Sequence, residues 1–195
     1  HFLDSGAMYR VLAYAIDKKG INTSNIQDLI HVALSLDLSF KEIAGNTHTF
    51  FESHDISEAI RTESCGKMAS VVAAIPEVRA ALLQRQRDFR MRPGLVTDGR
   101  DMGTVVFPDA TLKIYLTASS EERAQRRYKQ LKSKNIDITL DEVIEELNLR
   151  DERDSKREIA PLKPAKDAKL IDTTGLSIDQ VLQNVLQLVV EAGIS

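Results

Sequence analysis

Cysteine is nearly absent from this chain, occurring once, as Cys65. One thiol excludes an intrachain disulfide and any cysteine-based zinc cage, and fits a reducing cytosol. No apolar run approaches the roughly 20 residues that a membrane-spanning helix needs. Basic surplus is missing too: 26 Lys and Arg against 29 Asp and Glu leave a formal net charge of −3. That balance argues against a general binder of nucleic acid or membrane surfaces. Aromatics make up only 5% of the chain, with no run of them suited to stacking on bases. His31, His48 and His54 show no metal-ligand spacing, so no metal site is expected from the chain itself. A signal-peptide pattern is also lacking. The chain opens on His1-Phe2-Leu3-Asp4 without a methionine, and a further segment is expected upstream of His1.

What is present fits an α/β protein. The 195 residues are 43% hydrophobic and 28% charged, enough for one domain with a real core. Phe2-Leu3 reads as the end of a strand, followed by a helix over 4–17 with Asp4 and Ser5 as capping candidates. A second helix is expected over 24–35, capped by Ser24. The stretch 36–56 changes to a two-residue period around a Gly45-Asn46 turn, predicting a small antiparallel insert of two or three strands. Helix resumes from Ser57 to about Ala74, and Pro76 fits the first turn of another that runs to about Arg90.

Leu95–Asp98 and Leu112–Leu116 read as short buried strands, with a turn at Pro108-Asp109. A helix capped by Ser119 or Ser120 runs to about residue 134. A break follows at 135–139, then a helix over 140–154, a strand at Lys169–Asp172 and a closing amphipathic helix over 177–191. Strands alternating with helices imply a mostly parallel sheet covered on both faces, with ligand beyond the carboxyl ends of its strands. Polar turns follow strands at Asp4-Ser5-Gly6, at Asp98-Gly99-Arg100-Asp101 and at Asp172-Thr173-Thr174-Gly175.

Arginine supplies the chemistry. Arg150, Arg153, Asp154 and Arg157 fall on one helical stripe, and Arg123, Arg126 and Arg127 form a second cluster. Such a stripe reads either as a solvated face with internal ion pairs or as a phosphate clamp. The planar guanidinium suits phosphate oxygens, and like charges on one stripe repel unless an anion joins them. Two arginine-bearing helices around the 135–139 break look like a hinged flap that closes over polyphosphate. Asp4-Ser5-Gly6, with Tyr9 and Arg10 one turn later, sets polar groups at a helix N-terminus, where unpaired N–H groups attract anions.

Four segments carry a resemblance to a known family: LDSGAMYR, TDGRDMGTVVFPDA, ASSEERAQRR and RDERDSKREIAPLKPA. Together, in this order and spacing, they resemble the bacterial-type cytidylate (CMP/dCMP) kinases over nearly the whole chain. The resemblance implies a P-loop NTPase-like α/β fold within a single nucleoside monophosphate kinase domain, 1–195. An antiparallel monophosphate-binding insert is expected at about 36–75 and a helical lid at about 123–158. It implies ATP-dependent phosphoryl transfer to CMP or dCMP, with Mg²⁺ accompanying ATP, in a cytoplasmic monomer of pyrimidine nucleotide metabolism that uses neither nucleic acid nor membrane. The family's P-loop, G-x-x-x-x-G-K-[ST], is not found in these residues and is expected in the segment ahead of His1.

The resemblance also implies residue roles. Ser5 and Asp154 would hold the nucleotide sugar, with Tyr9 beside Ser5 in the substrate site. Arg10, Arg100 and Arg157 would bind the acceptor phosphate, and Arg150 would lie near sugar and phosphate. Ser70, Arg79 and Asp101 would read cytosine. Asp101 would accept from the amino group while Arg79 donates to the ring acceptors, a pattern that uracil reverses. On an extended chain neighbouring side chains diverge, which would send Arg100 to the phosphate and Asp101 to the base. Arg123, Arg127, Arg150 and Arg153 are lid candidates, and Arg100, Arg153 and Arg157 are the groups expected to act on the transferring phosphoryl. Two alternatives stand beside this one: a CMP-binding paralogue without catalysis, and an RNA-binding protein that clamps backbone with its arginine helices.

Overall fold

The computed structural model describes residues 1–133, 135–156 and 159–194, which divide into two compact units, 1–102 and 103–195. In the first unit, strand β1 (Phe2–Asp4) leads directly into helix α1 (Ser5–Lys18). Asp4 is the residue that caps α1, its carboxylate accepting from the Ala7 amide at 2.7 Å. Met8, Val11, Leu12, Ala15 and Ile16 of α1 are at most 1% exposed and form the centre of this unit's core. Helix α2 spans Ile26–Leu34 and is capped by Asn25 rather than Ser24. The asparagine side chain both accepts from the Asp28 amide and donates to the Asp28 carboxylate.

The expected insert is a three-stranded antiparallel sheet: β2 (Leu38–Ile43), β3 (Asn46–Phe51) and β4 (His54–Asp55). It is tied to the chain that follows by Asp55. This carboxylate accepts from the Ser57 hydroxyl at 2.6 Å and the Ser57 amide at 2.9 Å, and contacts His48 Nδ1 at 2.6 Å. These bonds hold the Asp55 carboxyl down at about 2. The helix expected from Ser57 is interrupted. A 3₁₀ turn occupies Ala59–Arg61, and α3 (Glu63–Val72) begins afresh after Thr62, whose hydroxyl caps the Cys65 amide. A threonine able to satisfy a free amide favours a new start over continuous helix. Helix α4 (Pro76–Asp88) starts at its proline, and strand β5 (Val96–Asp98) pairs parallel with β1. The register sets Phe2 opposite Val96, Leu3 opposite Thr97 and Asp4 opposite Asp98.

A π-helical turn at Met102–Val106 occupies a stretch that carries no regular hydrophobic period in the sequence. In the second unit, β6 (Ile114–Thr117) pairs parallel with β7 (Lys169–Asp172). Helix α5 (Ser120–Lys132) is capped by Ser119, and α6 (Leu140–Lys156) packs along it. Helix α7 (Ile178–Glu191) opens on a capping box between Ser177 and Gln180.

The fold is therefore mixed α/β, with parallel strand pairs and a small antiparallel sheet. The strands expected to be buried are not fully so. Val96 on β5 is 72% exposed, and Leu116 and Leu170 on the β6–β7 pair are 54% and 65% exposed. Ile178, Leu182, Leu186 and Val190 repeat every fourth residue along α7 and are likewise exposed. Among the described residues, no helix is long and apolar enough to cross a membrane.

Candidate active site

The parallel pairing of β1 with β5 brings their outgoing turns side by side. Gly99 lies so close to the start of α1 that a Cβ there would sit 3.0 Å from the Ser5 Cβ and 2.9 Å from the Met102 Cγ. Only a glycine allows this approach. Ser5 is buried, and its hydroxyl donates to Gln86 Oε1 at 3.0 Å. Gln86 is 2% exposed and in turn donates to the Leu82 carbonyl at 3.4 Å. Val78, Leu82 and Gln86 form one buried stripe of α4, so the glutamine extends an apolar face as its polar end.

Arg79, next to Val78 on α4, forms a direct ion pair with Asp101, Nη2 to Oδ2. Both are nearly sealed from solvent, at 8% and 4% exposure. A second guanidinium nitrogen of Arg79 donates to the Ala73 carbonyl at 3.1 Å, and the guanidinium stands 5.8 Å from the centre of the Tyr9 ring. Tyr9, Arg79 and Asp101 thus make one contiguous buried group. Burying two opposite charges is tolerable only when each is paired and hydrogen-bonded. Arg100, the residue before Asp101, is exposed. The two neighbours do face opposite environments as expected, although they occupy a bend rather than an extended segment.

Arg10 follows Tyr9 on α1 and reaches across to the segment ahead of α3. Its Nη1 donates to the carbonyls of Ile60, at 2.8 Å, and Thr62, at 3.3 Å. Ser70, on α3, is half-buried. Asp98, at the end of β5, has its carboxyl pushed up to about 6 by loss of water and by the neighbouring Asp4 charge, even though part of the residue faces solvent. This like-charge pair at the strand ends is legible in hindsight as two aspartates closing two parallel strands.

The second unit holds the remaining candidate arginines. Arg123 of α5 pairs with Asp151 of α6 through Nη1, fastening the two helices together, and its Nη2 donates to Ser120 Oγ at 3.3 Å. Arg127 donates to Gln130 at 2.9 Å. Arg126, grouped with them by spacing, instead holds the loop after β7. It donates to Thr173 Oγ1 at 3.0 Å and to the Thr173 carbonyl, and contacts Glu122 at 2.7 Å. Arg150 and Arg153 are exposed on α6, the Arg153 Nε donating to the Leu149 carbonyl at 3.2 Å, while Asp154 is 7% exposed. Arg157 lies outside the described residues.

The structure therefore joins Ser5, Tyr9, Arg79 and Asp101 through direct contacts or Gln86's stripe, and adds Gln86, which the sequence reading missed. Its signal was available: a polar residue exactly where helical spacing calls for a buried one is a candidate for orienting something.

Comparison with known proteins covers both units. A family model described as cytidylate kinase matches residues 1–191. A protein named cytidylate kinase from Stutzerimonas stutzeri is 56% identical over 189 residues, which span 95% of this chain and 82% of the relative. One of the same name from Nitrosomonas europaea is 51% identical over 192 residues, 98% of this chain and 84% of the relative. Another from Pseudomonas entomophila is 54% identical over 185 residues, 94% and 81% respectively.

Proposed function

Because the chain belongs to the cytidylate kinase family, we propose that it transfers the γ-phosphoryl group of ATP to CMP or dCMP, giving CDP or dCDP. The observation that carries the base specificity is the buried Arg79–Asp101 pair beside Tyr9. A carboxylate and a guanidinium held together out of water offer an acceptor next to donors. Cytosine presents the complementary amino group next to an unprotonated ring nitrogen. Uracil would set a carbonyl against Asp101 and leave buried groups unpaired, which is strongly disfavoured.

Phosphoryl transfer requires alignment of acceptor and donor, neutralised charge and exclusion of water, with no covalent help from the protein. In the first unit we assign Ser5 to the sugar, Arg10 and Arg100 to the acceptor phosphate, and Ser70 with the Arg79–Asp101 pair to the base. Exposure of Arg100 and burial of Asp101 support that division. In the second unit we assign Asp154 to the sugar, Arg150 to sugar and phosphate, Arg153 and Arg157 to the transferring group, and Arg123 and Arg127 to the lid on the ATP side. The joining of α5 to α6 through Arg123 and Asp151 supports a lid of about 123–158 that moves as one piece. The family match, running through 1–191, supports one nucleoside monophosphate kinase domain.

Mg²⁺ fits this reaction as a companion of ATP. It keeps most of its waters and takes one or two carboxylates together with substrate phosphates. Asp4 and Asp98, the latter raised by burial and then by the neighbouring Asp4 charge, are hard oxygen donors of that kind. When bound, the ion would neutralise phosphate charge. Cys65, a free and half-buried thiol, supports a reducing cytoplasm as the compartment, and we take the working form to be a monomer.

The test is a phosphorylation assay on the full-length protein with MgATP and CMP, dCMP, UMP or AMP in turn. Product with CMP and dCMP far above the other two is expected. UMP used as well as CMP would remove Asp101 from its assigned role.

A further inference from the structure

The geometry points to Gly66 as the positioning residue for Arg10: its bare surface on α3 seats the guanidinium that the proposed function assigns to the acceptor phosphate. A Cβ built at Gly66 would meet Arg10 Nη2 at 2.9 Å, Nη1 at 3.0 Å and Cζ at 3.2 Å. Three atoms of one planar group at nearly equal distance mean that the guanidinium lies over the glycine rather than pointing at it. Approach this close is open to glycine alone, because even a methyl group would displace the arginine.

The seat has walls as well as a floor. Arg10 Nη1 donates to the carbonyls of Ile60 and Thr62, which border the start of α3. From the other side, Cys65 Sγ donates to the Arg10 carbonyl at 3.3 Å, so Arg10 is tied to α3 through its backbone as well as its side chain. Burial raises the Cys65 thiol above its ordinary pKa, keeping the proton that this contact uses. Both hydrogen bonds from the Arg10 guanidinium to backbone carbonyls run through Nη1, and the Cys65 thiol lies within hydrogen-bonding reach of the same side chain.

Gly66 sits inside a helix, where glycine is the weakest helix former after proline. Its φ is not in the left-handed region, so no backbone demand explains it. The close approach does. Ser70 lies four residues on, on the same face of α3, so the seat sets Arg10 about one helical turn from a proposed base-reading group. Fixing that spacing fixes how far the acceptor phosphate stands from the base.

The inference rests on the assignment of Arg10, and the experiment separates the two. Gly66→Ala, Arg10→Lys and the double variant are compared by steady-state kinetics in CMP and in ATP, alongside thermal unfolding. For Gly66→Ala, kcat/KM for CMP should fall about tenfold, KM for ATP should change less than about twofold, and Tm should hold or rise. In the Arg10→Lys background the same change should cost less than about twofold, because the arginine it displaces is gone. Unchanged CMP kinetics in Gly66→Ala, or an undiminished penalty in the double variant, overturns the role of Gly66 while leaving Arg10 in the site. Wild-type CMP kinetics in Arg10→Lys removes Arg10 from the acceptor site, and the inference with it.

Discussion

Ser5 gives its hydroxyl proton to Gln86, 81 residues away in sequence, at 3.0 Å. The bond leaves the serine oxygen's lone pairs facing away from α4, which turns a helix-terminal residue into an oriented acceptor. It also makes Gln86 a second-hand participant in whatever Ser5 touches.

Gln86→Leu is close in size but removes the acceptor for the buried Ser5 hydroxyl. A lost partner of this kind costs about 1–3 kcal/mol. Urea denaturation should show a loss in that range, and KM for CMP should rise because Ser5 is no longer oriented. A Gln86→Leu protein with unchanged stability and KM would place the Ser5–Gln86 bond outside both.

Asp101→Ala leaves the Arg79 charge buried without its carboxylate. Breaking a buried pair from one side is strongly destabilising, about 3–5 kcal/mol. The ratio of kcat/KM for CMP over UMP should fall more than kcat for CMP itself, since base discrimination is the property at stake. Denaturation curves and a two-substrate assay test the two halves separately.

Arg100→Met should leave the fold intact, because the residue is exposed. Loss of one charge-assisted contact to phosphate should lower kcat/KM for CMP about tenfold to a hundredfold. Circular dichroism that matches the wild type, with kinetics that do not, is the expected result. Arg157→Met is expected to lower kcat/KM for CMP by a similar factor.

Two carboxylates give the first unit opposing pH responses. Asp98 is raised to about 6, so the folded state holds its proton more tightly than the unfolded chain does. Its burden is absent below the ordinary carboxylate range and grows as pH rises toward 6. Asp98→Asn should therefore raise Tm at pH 7.5, with a stability gain below about 1 kcal/mol because solvent reaches the site, and the gain should fade by pH 4. Asp55, lowered to about 2, acts the other way: its contribution is present above the ordinary range and is lost as pH falls toward 2. Asp55→Asn should lower Tm at pH 7.5 and narrow the difference in acid. Thermal scans of both variants at several pH values test the signs.

Much of this was legible in sequence because it is local. The two-residue period of 36–56 marked the antiparallel insert, Pro76 opened α4, and Ser119 capped α5. Asn25 took the place of Ser24 as a cap, bonding both the amide and the carboxylate of Asp28, and Thr62 divided one expected helix into two by satisfying an amide. Burial of the strands at 95–98 and 112–116 was misjudged because apolar composition does not say what covers a residue; Val96 and Leu116 are largely exposed. Arg79 and Asp101 could be matched to a motif, but their pairing with each other spans 22 residues and no local pattern encodes it. Spacing grouped Arg126 with Arg123 and Arg127, yet a nearby loop carbonyl claimed it for structure.

The three-residue register between β1 and β5 bears on the proposed base site. Neither strand carries a group assigned to the base, yet their alignment sets Gly99 against Ser5 and, beyond it, buries Asp101 while leaving Arg100 in water. Sliding one strand by a single residue would pull Gly99 off Ser5 and shift the bend that carries that arginine and aspartate. On the proposed assignments, the base site is thus laid out by main-chain alignment during folding, before any nucleotide arrives.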